Sequence, residues 1–406
     1  LARSRANIRK HPPTSSRTPK APAKLPAAGK ASASTKHDDI AAQFAARMDA
    51  LRSAGAAWPG AIAVSGGGDS VALMLLLAAY AKHAKLPPPV ILTVDHGLRE
   101  SSAKDARAVV KMAADIGLKA HALVWKGPHP KSDIEAEARA ARYRLMGEWL
   151  VAHKIAALYV AHTMEDQAET FLLRLARGSG LDGLSAMRVV APYPMPDFPG
   201  LMIVRPLLDM ARAPLRDFLR NKKQSWLEDP MNGDPRFARS KLRAAWPQLE
   251  ALGLSAQRVS DAAEHLGRAR EALDDMTASL LMRAARFDGA GALIDSVRLK
   301  MAPREVGLRA LASTLSRVSG EAYRPRFGKL ERLFDAIRDG SLAGGATLHG
   351  CIVAPAPRPV LAFGTGTLLV TREAGRAEPE KPAASAQVKE PAPTAPSKKA
   401  KKRRRN

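Results

Sequence analysis

Ala61-Ile62-Ala63-Val64-Ser65-Gly66-Gly67-Gly68-Asp69-Ser70 is the stretch on which the fold turns. Four apolar residues of strand character run through Ser65 into three glycines, and a helical run follows from Ser70 to His83. Glycine lacks a Cβ, so the backbone can turn tightly and approach a ligand closely. The helix beyond points its free N–H groups and positive dipole end at the same spot, which makes an anion site. The hydroxyls of Ser65 and Ser70 stand at its edges as further donors. A Walker A loop needs a lysine followed by Ser or Thr after its last glycine, whereas Asp69-Ser70-Val71 stands here. The GxGxxG spacing of a dinucleotide fold is also missing. The plain alternative is a Gly-rich turn with an Asp/Ser cap, and six such residues in this setting weigh against it.

Outward from this loop, short apolar runs alternate with longer amphipathic ones. Strands are expected at Ala61–Val64, Val90–Val94, His121–Trp125, Ala157–Ala161 and Met202–Val204, and helices at Ser70–His83, Ala103–Ile116, Ile134–His153 and Met164–Arg177. Such alternation implies βαβ units: an α/β fold with a parallel five-stranded sheet and helices on both faces. Ligands then belong outside the carboxyl ends of the strands. A lead-in helix is expected over Ile40–Leu51, and the Pro-rich stretch Pro192–Pro199 reads as a loop. From Ala211 to about Ile337 the chain reads as helical, and from Ala343 to Arg372 as short β runs, among them Thr347–Val353 and Thr367–Thr371. The expected division is a tail over 1–37, a catalytic α/β domain over 38–222, a helical domain over 223–340, a small C-terminal α+β module over 341–374, and a second tail over 375–406.

The net charge of +25 is concentrated at the ends. Residues 1–37 carry nine Lys/Arg and no acid, and residues 375–406 carry ten Lys/Arg against three Glu. Both tails are rich in Pro, Ala, Ser and Lys without apolar period, the composition of disorder. The C-terminal cations suit either a solvated tail or sequence-independent attraction to phosphate backbones. The acid-free N-terminus has a transit-peptide composition, but it is Pro-rich and shows no amphipathic helix. Leu1 in place of Met suggests a fragment or an unusual start. One cysteine, Cys351, excludes an internal disulfide framework and any CxxC metal site, and fits a reducing compartment. No apolar run approaches the roughly 18 residues of a membrane span.

Two further groups border the expected ligand edge. Asp95-His96 ends the second strand, where Asp95 can serve a ribose or adenine amine, or simply cap a turn. In Ala161 to Thr170, helical spacing puts His162, Asp166, Glu169 and Leu173 on one side and Ala168, Phe171, Leu172 and Leu175 on the other. The second side would pack on the sheet. The first could hold an ammonium ion and remove its proton, or could be a solvated acidic helix start.

The string Ser65-Gly66-Gly67-Gly68-Asp69-Ser70 after a strand resembles the PP-loop pyrophosphatase signature. That resemblance implies ATP cleaved to AMP and pyrophosphate, with Ser65, Gly66, Gly67, Gly68, Asp69, Ser70, Asp95 and His96 as ATP-binding residues. More narrowly, the chain resembles the tRNA(Ile)-lysidine synthase family. The residues that carry the likeness are Val94-Asp95-His96-Gly97-Leu98-Arg99, Ala161 to Leu184, Arg205-Pro206-Leu207-Leu208, Glu228-Asp229-Pro230 with Asn232, and the spaced Arg239, Lys241 and Arg243. They lie within residues 60–250; Leu348-His349-Gly350-Cys351 and Thr371-Arg372-Glu373 extend the likeness weakly. This family resemblance implies a cytoplasmic ligase whose ATP adenylates C2 of the first anticodon cytidine of a CAU-anticodon isoleucine tRNA. Free lysine then displaces AMP to give lysidine, so that AUA is read in place of AUG. It further implies Mg²⁺ at Asp69, catalytic Asp69, Asp166 and Glu169, with Asp166 as base and Glu169 on the lysine ammonium. The tRNA would meet Arg205, Arg212, Arg239, Lys241 and Arg243.

Three positions depart from the family pattern: Ser240 where Asn is usual, Thr163 where a second His is frequent, and Glu165 where Asp is frequent. Rival readings are weaker. A thiolase working through clusters or persulfides needs two or more cysteines, an amidotransferase-type ligase needs a glutaminase segment, and a non-catalytic RNA-binding protein explains neither the loop nor the acidic helix.

Overall fold

The computed structural model describes residues 33–98, 101–126, 134–228, 238–289, 291–321, 323–342, 344–357 and 362–373. Residues 1–32 of the first tail, the whole second tail, Arg99, and Asp229, Pro230 and Asn232 lie outside these described residues, whereas residues 33–37, expected as tail, belong to the first helix. The first part of the chain runs α1 (Ala33–Ser53), β1 (Ala61–Ala63), α2 (Gly68–His83), β2 (Val90–Asp95), α3 (Ser102–Asp115), β3 (Ala120–Val124), α4 (Ile134–Ala152), β4 (Ala157–Tyr159), α5 (Met164–Leu175), α6 (Leu181–Leu184), β5 (Val190–Pro192), β6 (Met202–Val204) and α7 (Arg212–Asn221). α1 begins a turn and more ahead of the reading.

These strands form one sheet in the order β3-β2-β1-β4-β6-β5. The five expected strands are parallel, and β5 adds an antiparallel sixth at the edge. β5 is three residues long and ends in a proline, which only an edge strand tolerates, so no alternation announces it. One face of the sheet is covered by α1, α2, α3 and α7 through residues such as Phe44, Leu73, Val109 and Leu215; the other is covered by α4 through Tyr143, Met146 and Leu150. α2 is apolar on nearly all sides because it is sandwiched, with Val71, Leu73, Met74 and Leu77 fully buried. Each such side chain contributes about 1.5–3 kcal/mol. The chain moves from β1 to β2 on one side and later to β4 on the other. The switch in strand order therefore falls between β1 and β4, where an open α/β sheet forms its crevice.

Beyond α7 come α8 (Ala238–Ala251), α9 (Ala256–Ala284), β7 (Ala285–Asp288), β8 (Gly291–Asp295), α10 (Ser296–Met301), α11 (Arg304–Ser319), α12 (Phe327–Asp339), β9 (Ala346–Leu348), β10 (Cys351–Pro355), β11 (Ala362–Thr365) and β12 (Thr367–Arg372). The helical reading to Ile337 therefore needs correction at β7 and β8. This hairpin joins an antiparallel sheet ordered β7-β8-β12-β10-β9, with Gly291–Asp295 paired to Thr367–Thr371. A core of Leu280, Leu311, Phe334, Val353 and Val370 binds α9, α11 and α12 to that sheet.

α5 also departs from expectation. It starts at Met164, so His162 precedes the helix rather than sharing its face. It packs on α9, α8 and α6 instead of the sheet, and Leu175 is 50% exposed. No helix among the described residues is long and apolar enough to cross a membrane.

Candidate functional site

The loop after β1 is held shut by its own side chains. Ser70 Oγ donates to the Gly67 carbonyl at 2.8 Å and accepts from Ser65 N at 3.3 Å. The two hydroxyls are 3.3 Å apart, so the serines shape the loop as well as edging it. Gly66 has φ +90°, and a Cβ there would lie 2.5 Å from Leu227 Cδ1. Leu227 N donates to the Gly66 carbonyl at 2.9 Å, tying the segment after α7 to the loop. At Gly68 a Cβ would fall 1.1 Å from Arg216 Nη1: the missing side chain makes room for a guanidinium.

Asp69, in the first turn of α2, faces two arginines of α7. Arg212 Nε is 3.3 Å from its Oδ2, and Arg216 Nη2 is 3.3 Å from its Oδ1. Arg216 lies over the ring of Trp226, 5.2 Å from its centroid. Burial pushes the Asp69 carboxyl up; Arg212 and Arg216 oppose this, and the charges of Asp166 and Glu165 add to it.

Asp95 and His96 form a tight turn at the end of β2, next to the loop. Asp95 Oδ1 accepts from Gly97 N at 3.1 Å, Ser102 Oγ accepts from His96 N at 3.0 Å, and His96 Nδ1 accepts from Leu98 N at 3.2 Å.

Across the switch point, β4 delivers α5. Thr163 donates its N and Oγ1 to Asp166 Oδ2 at 2.9 and 3.1 Å. Arg212 then bridges the helix: its Nη2 donates to Asp166 Oδ1 at 2.5 Å and its Nη1 to Glu169 Oε1 at 3.0 Å. Arg243 of α8 completes Glu169, with Nε on Oε1 at 2.7 Å and Nη2 on Oε2 at 3.1 Å. Glu165 accepts from the backbone N of Arg212 at 2.9 and 3.1 Å, so its carboxylate caps the N-terminus of α7.

Arg212, expected to face tRNA, thus points inward onto three carboxylates, and Arg243 onto one. The carboxylates hold the Arg212 proton more firmly than usual, outweighing the burial that would release it. Burial would raise Asp166, but Arg212, the Thr163 N–H, His162 and Arg239 outweigh it and keep the carboxyl below its ordinary range. Burial takes His162 down to about 4; Arg205, Arg139 and Arg239 reinforce this against Asp166, so the imidazole is neutral at pH 7. Its Nδ1 and the Nε of Arg205 are buried without a hydrogen-bond partner among the described residues, while Arg205 Nη1 donates to the Arg188 carbonyl at 2.8 Å. Lys241 is exposed on α8. Arg216, Arg139 and the capping role of Glu165 were not read from the sequence. The i,i+4 spacing of Arg212 and Arg216 was the available signal, since it places both on one helix face.

A divalent cation fits one place in this site. Among the described residues no three His, Cys, Asp or Glu gather as a ready-made metal cage. Asp69 Oδ1 is buried and makes no hydrogen bond among the described residues, with Arg216 Nη2 at 3.3 Å as a cation it would share, beside a loop suited to phosphates. Magnesium is commonly held in this way, by one or two carboxylates with substrate phosphates as its other ligands.

The family model for the PP-loop domain, an ATP-binding family, matches residues 41–249. Curated relatives include the tRNA(Ile)-lysidine synthase of Ruegeria pomeroyi, 40% identical over 292 residues, covering 72% of this chain and 68% of the relative. That of Methylobacterium nodulans is 40% identical over 320 residues, covering 76% of this chain and 92% of the relative. That of Rhodopseudomonas palustris is 39% identical over 307 residues, covering 75% and 86%.

Proposed function

Since the chain belongs to the tRNA(Ile)-lysidine synthase family, we propose that it joins free lysine to C2 of the wobble cytidine of CAU-anticodon isoleucine tRNA in the cytoplasm, with ATP as the energy source. The observation that carries this reading is the position of one guanidinium. Arg212 reaches Asp69 beside the phosphate loop and Asp166 and Glu169 on α5, so nucleotide and amine chemistry share one crevice.

In the first step the cytidine O2 attacks the α-phosphorus of ATP, and the bond to pyrophosphate breaks. The loop amides and the α2 N-terminus bind the phosphates, while Arg212 and Arg216 stand ready for the charge that develops on them. A Mg²⁺ ion bound through Asp69 would neutralise phosphate charge and assist the leaving pyrophosphate. In the second step the lysine ε-amine attacks C2, and the C2–O bond breaks to release AMP. Asp166 is charged at neutral pH but a weak base. It is suited to take the proton once C–N bond formation has acidified the nitrogen. Glu169, 1% exposed, supplies the charge that orients the ammonium. Cys351 takes no part: it is buried in the C-terminal core, donates to the Leu315 carbonyl, and burial pushes its thiol up to about 11. A cysteine-dependent thiolase reading finds no support in such a thiol.

Mass spectrometry of tRNA(Ile) incubated with ATP, Mg²⁺ and lysine tests the proposal. The expected products are lysidine, AMP and pyrophosphate. Asp166→Asn is expected to accumulate adenylated tRNA with little lysidine. Release of ADP and phosphate, or unmodified tRNA with the wild type, would overturn the reading. Equal loss of both steps in Asp166→Asn would remove Asp166 from amine handling.

A further inference from the structure

The two carboxylates assigned to the amine already have cationic partners. Asp166 Oδ2 takes both Thr163 donors and Oδ1 takes Arg212 Nη2. Glu169 Oε1 takes Arg212 and Arg243, and Oε2 takes Arg243 again. With Asp69 and Arg216 included, three carboxylates, Asp69, Asp166 and Glu169, face three guanidinium groups, Arg212, Arg216 and Arg243. A lysine ammonium entering here would leave one cation in excess beside a nearly inaccessible carboxylate, which is strongly unfavourable. The balance is restored only if a guanidinium leaves.

Arg243 is bound to Glu169 through two nitrogens and has no second carboxylate among its hydrogen bonds to the described residues. Arg212 is different. Its Nε has no hydrogen bond among the described residues, although it is 3.3 Å from Asp69 Oδ2 on the phosphate-loop side. Its backbone N is held by Glu165, so the side chain can swing while α7 stays fixed. A nucleotide triphosphate in the loop adds negative charge on that same side.

Resting on the functional reading above, we propose that Arg212 is a positioning residue that orders substrate binding. Nucleotide phosphates draw its guanidinium off α5 toward the phosphate loop, which frees Asp166 and Glu169 for the amine. Amine binding is thereby coupled to nucleotide binding.

Calorimetric titration of lysine into the full chain, with and without a non-hydrolysable ATP analogue, tests this. The wild type is expected to bind lysine about tenfold more tightly with the analogue, within the ordinary range of site-to-site coupling. Arg212→Met keeps the apolar stem and removes the charge. It is expected to bind lysine equally in both states, with an affinity no weaker than that of the nucleotide-loaded wild type. Arg212→Lys retains one cation that cannot span three carboxylates. It should show a reduced gain, and serves as the test if Arg212→Met fails to melt cooperatively. The same gain in wild type and Arg212→Met, or no gain in the wild type, overturns the proposal while leaving the reaction intact. Absence of lysine binding in both wild-type states, with ATP still cleaved on tRNA, overturns the assignment of α5 as the amine site and this proposal with it.

Discussion

At the scale of single residues, two neighbouring glycines are needed for different physical reasons, and they separate fold from function. Gly66 has a positive φ and backs onto Leu227, so a side chain is strained whatever space is made for it. Gly66→Ala is expected to lower unfolding stability by about 1–3 kcal/mol, measured by denaturant titration. Gly68 has ordinary dihedrals, and a Cβ there would meet only the far end of the Arg216 side chain, which can move. Gly68→Ala should therefore melt like the wild type while pyrophosphate release slows by roughly 10–100-fold, because Arg216 is pushed off the loop. A large stability loss in Gly68→Ala would show that Arg216 is part of the scaffold. The glycines were legible in the sequence as a close-approach loop. The object that approaches was not, since a guanidinium about 150 residues away leaves no local pattern.

At the scale of elements, the decisive event is that α5 and α7 meet end to end. Glu165 of α5 caps α7, and Arg212 of α7 bridges α5, so each helix start is completed by the other. The side chain at 165 is one of the departures from the family pattern, and here it reaches the α7 N–H with both oxygens. Glu165→Ala removes that cap and should cost about 1 kcal/mol of stability. It should also raise the KM for ATP, because α7 carries both arginines that face Asp69; an unchanged melting midpoint and KM would mean that α7 needs no cap. The existence of α5 was legible from its period, but its packing was not. Apolar positions such as Phe171 and Leu172 announce a buried face without saying which partner covers it, and the partner is α9. The hairpin β7–β8 escaped for a related reason. Asp288-Gly289 is a hairpin signal, but the strand that stabilises it, β12, lies some seventy residues further on.

At the scale of the whole molecule, a cluster of arginines joins the catalytic sheet to the C-terminal sheet, with Arg309 at its centre. Arg309 of α11 is 8% exposed and uses all three of its nitrogens: Nη2 on Asp182 of α6 at 2.7 Å, Nη1 on Asp274 of α9 at 3.1 Å, and Nε on Glu305 at 2.9 Å. Arg324 also pairs with Asp182, and Arg188 with Asp274 at 3.2 Å. Nothing local in the sequence marks these partners, which are separated by up to 142 residues. Burial would raise the Asp182 carboxyl, but the bonds from Arg309 and Arg324 prevail and hold it below its ordinary range. A carboxylate depressed on folding contributes stability above its unfolded pKa, near 4, and that contribution is lost as pH falls through the folded value. Arg309→Met keeps most of the buried stem but leaves Asp182 and Asp274 short of a cation. At pH 7 it is expected to cost about 1–3 kcal/mol, discounted from a fully buried pair because both aspartates are partly exposed. In acid the wild type loses the same interaction, so the gap between the two melting midpoints should narrow as the buffer is taken from pH 7 toward pH 3. High salt should narrow it less, since Arg309 is shielded from solvent. A gap that stays constant with pH would show that Arg309 stabilises the junction through its stem alone, and that the charges on α6 and α9 are incidental to how the two sheets are joined.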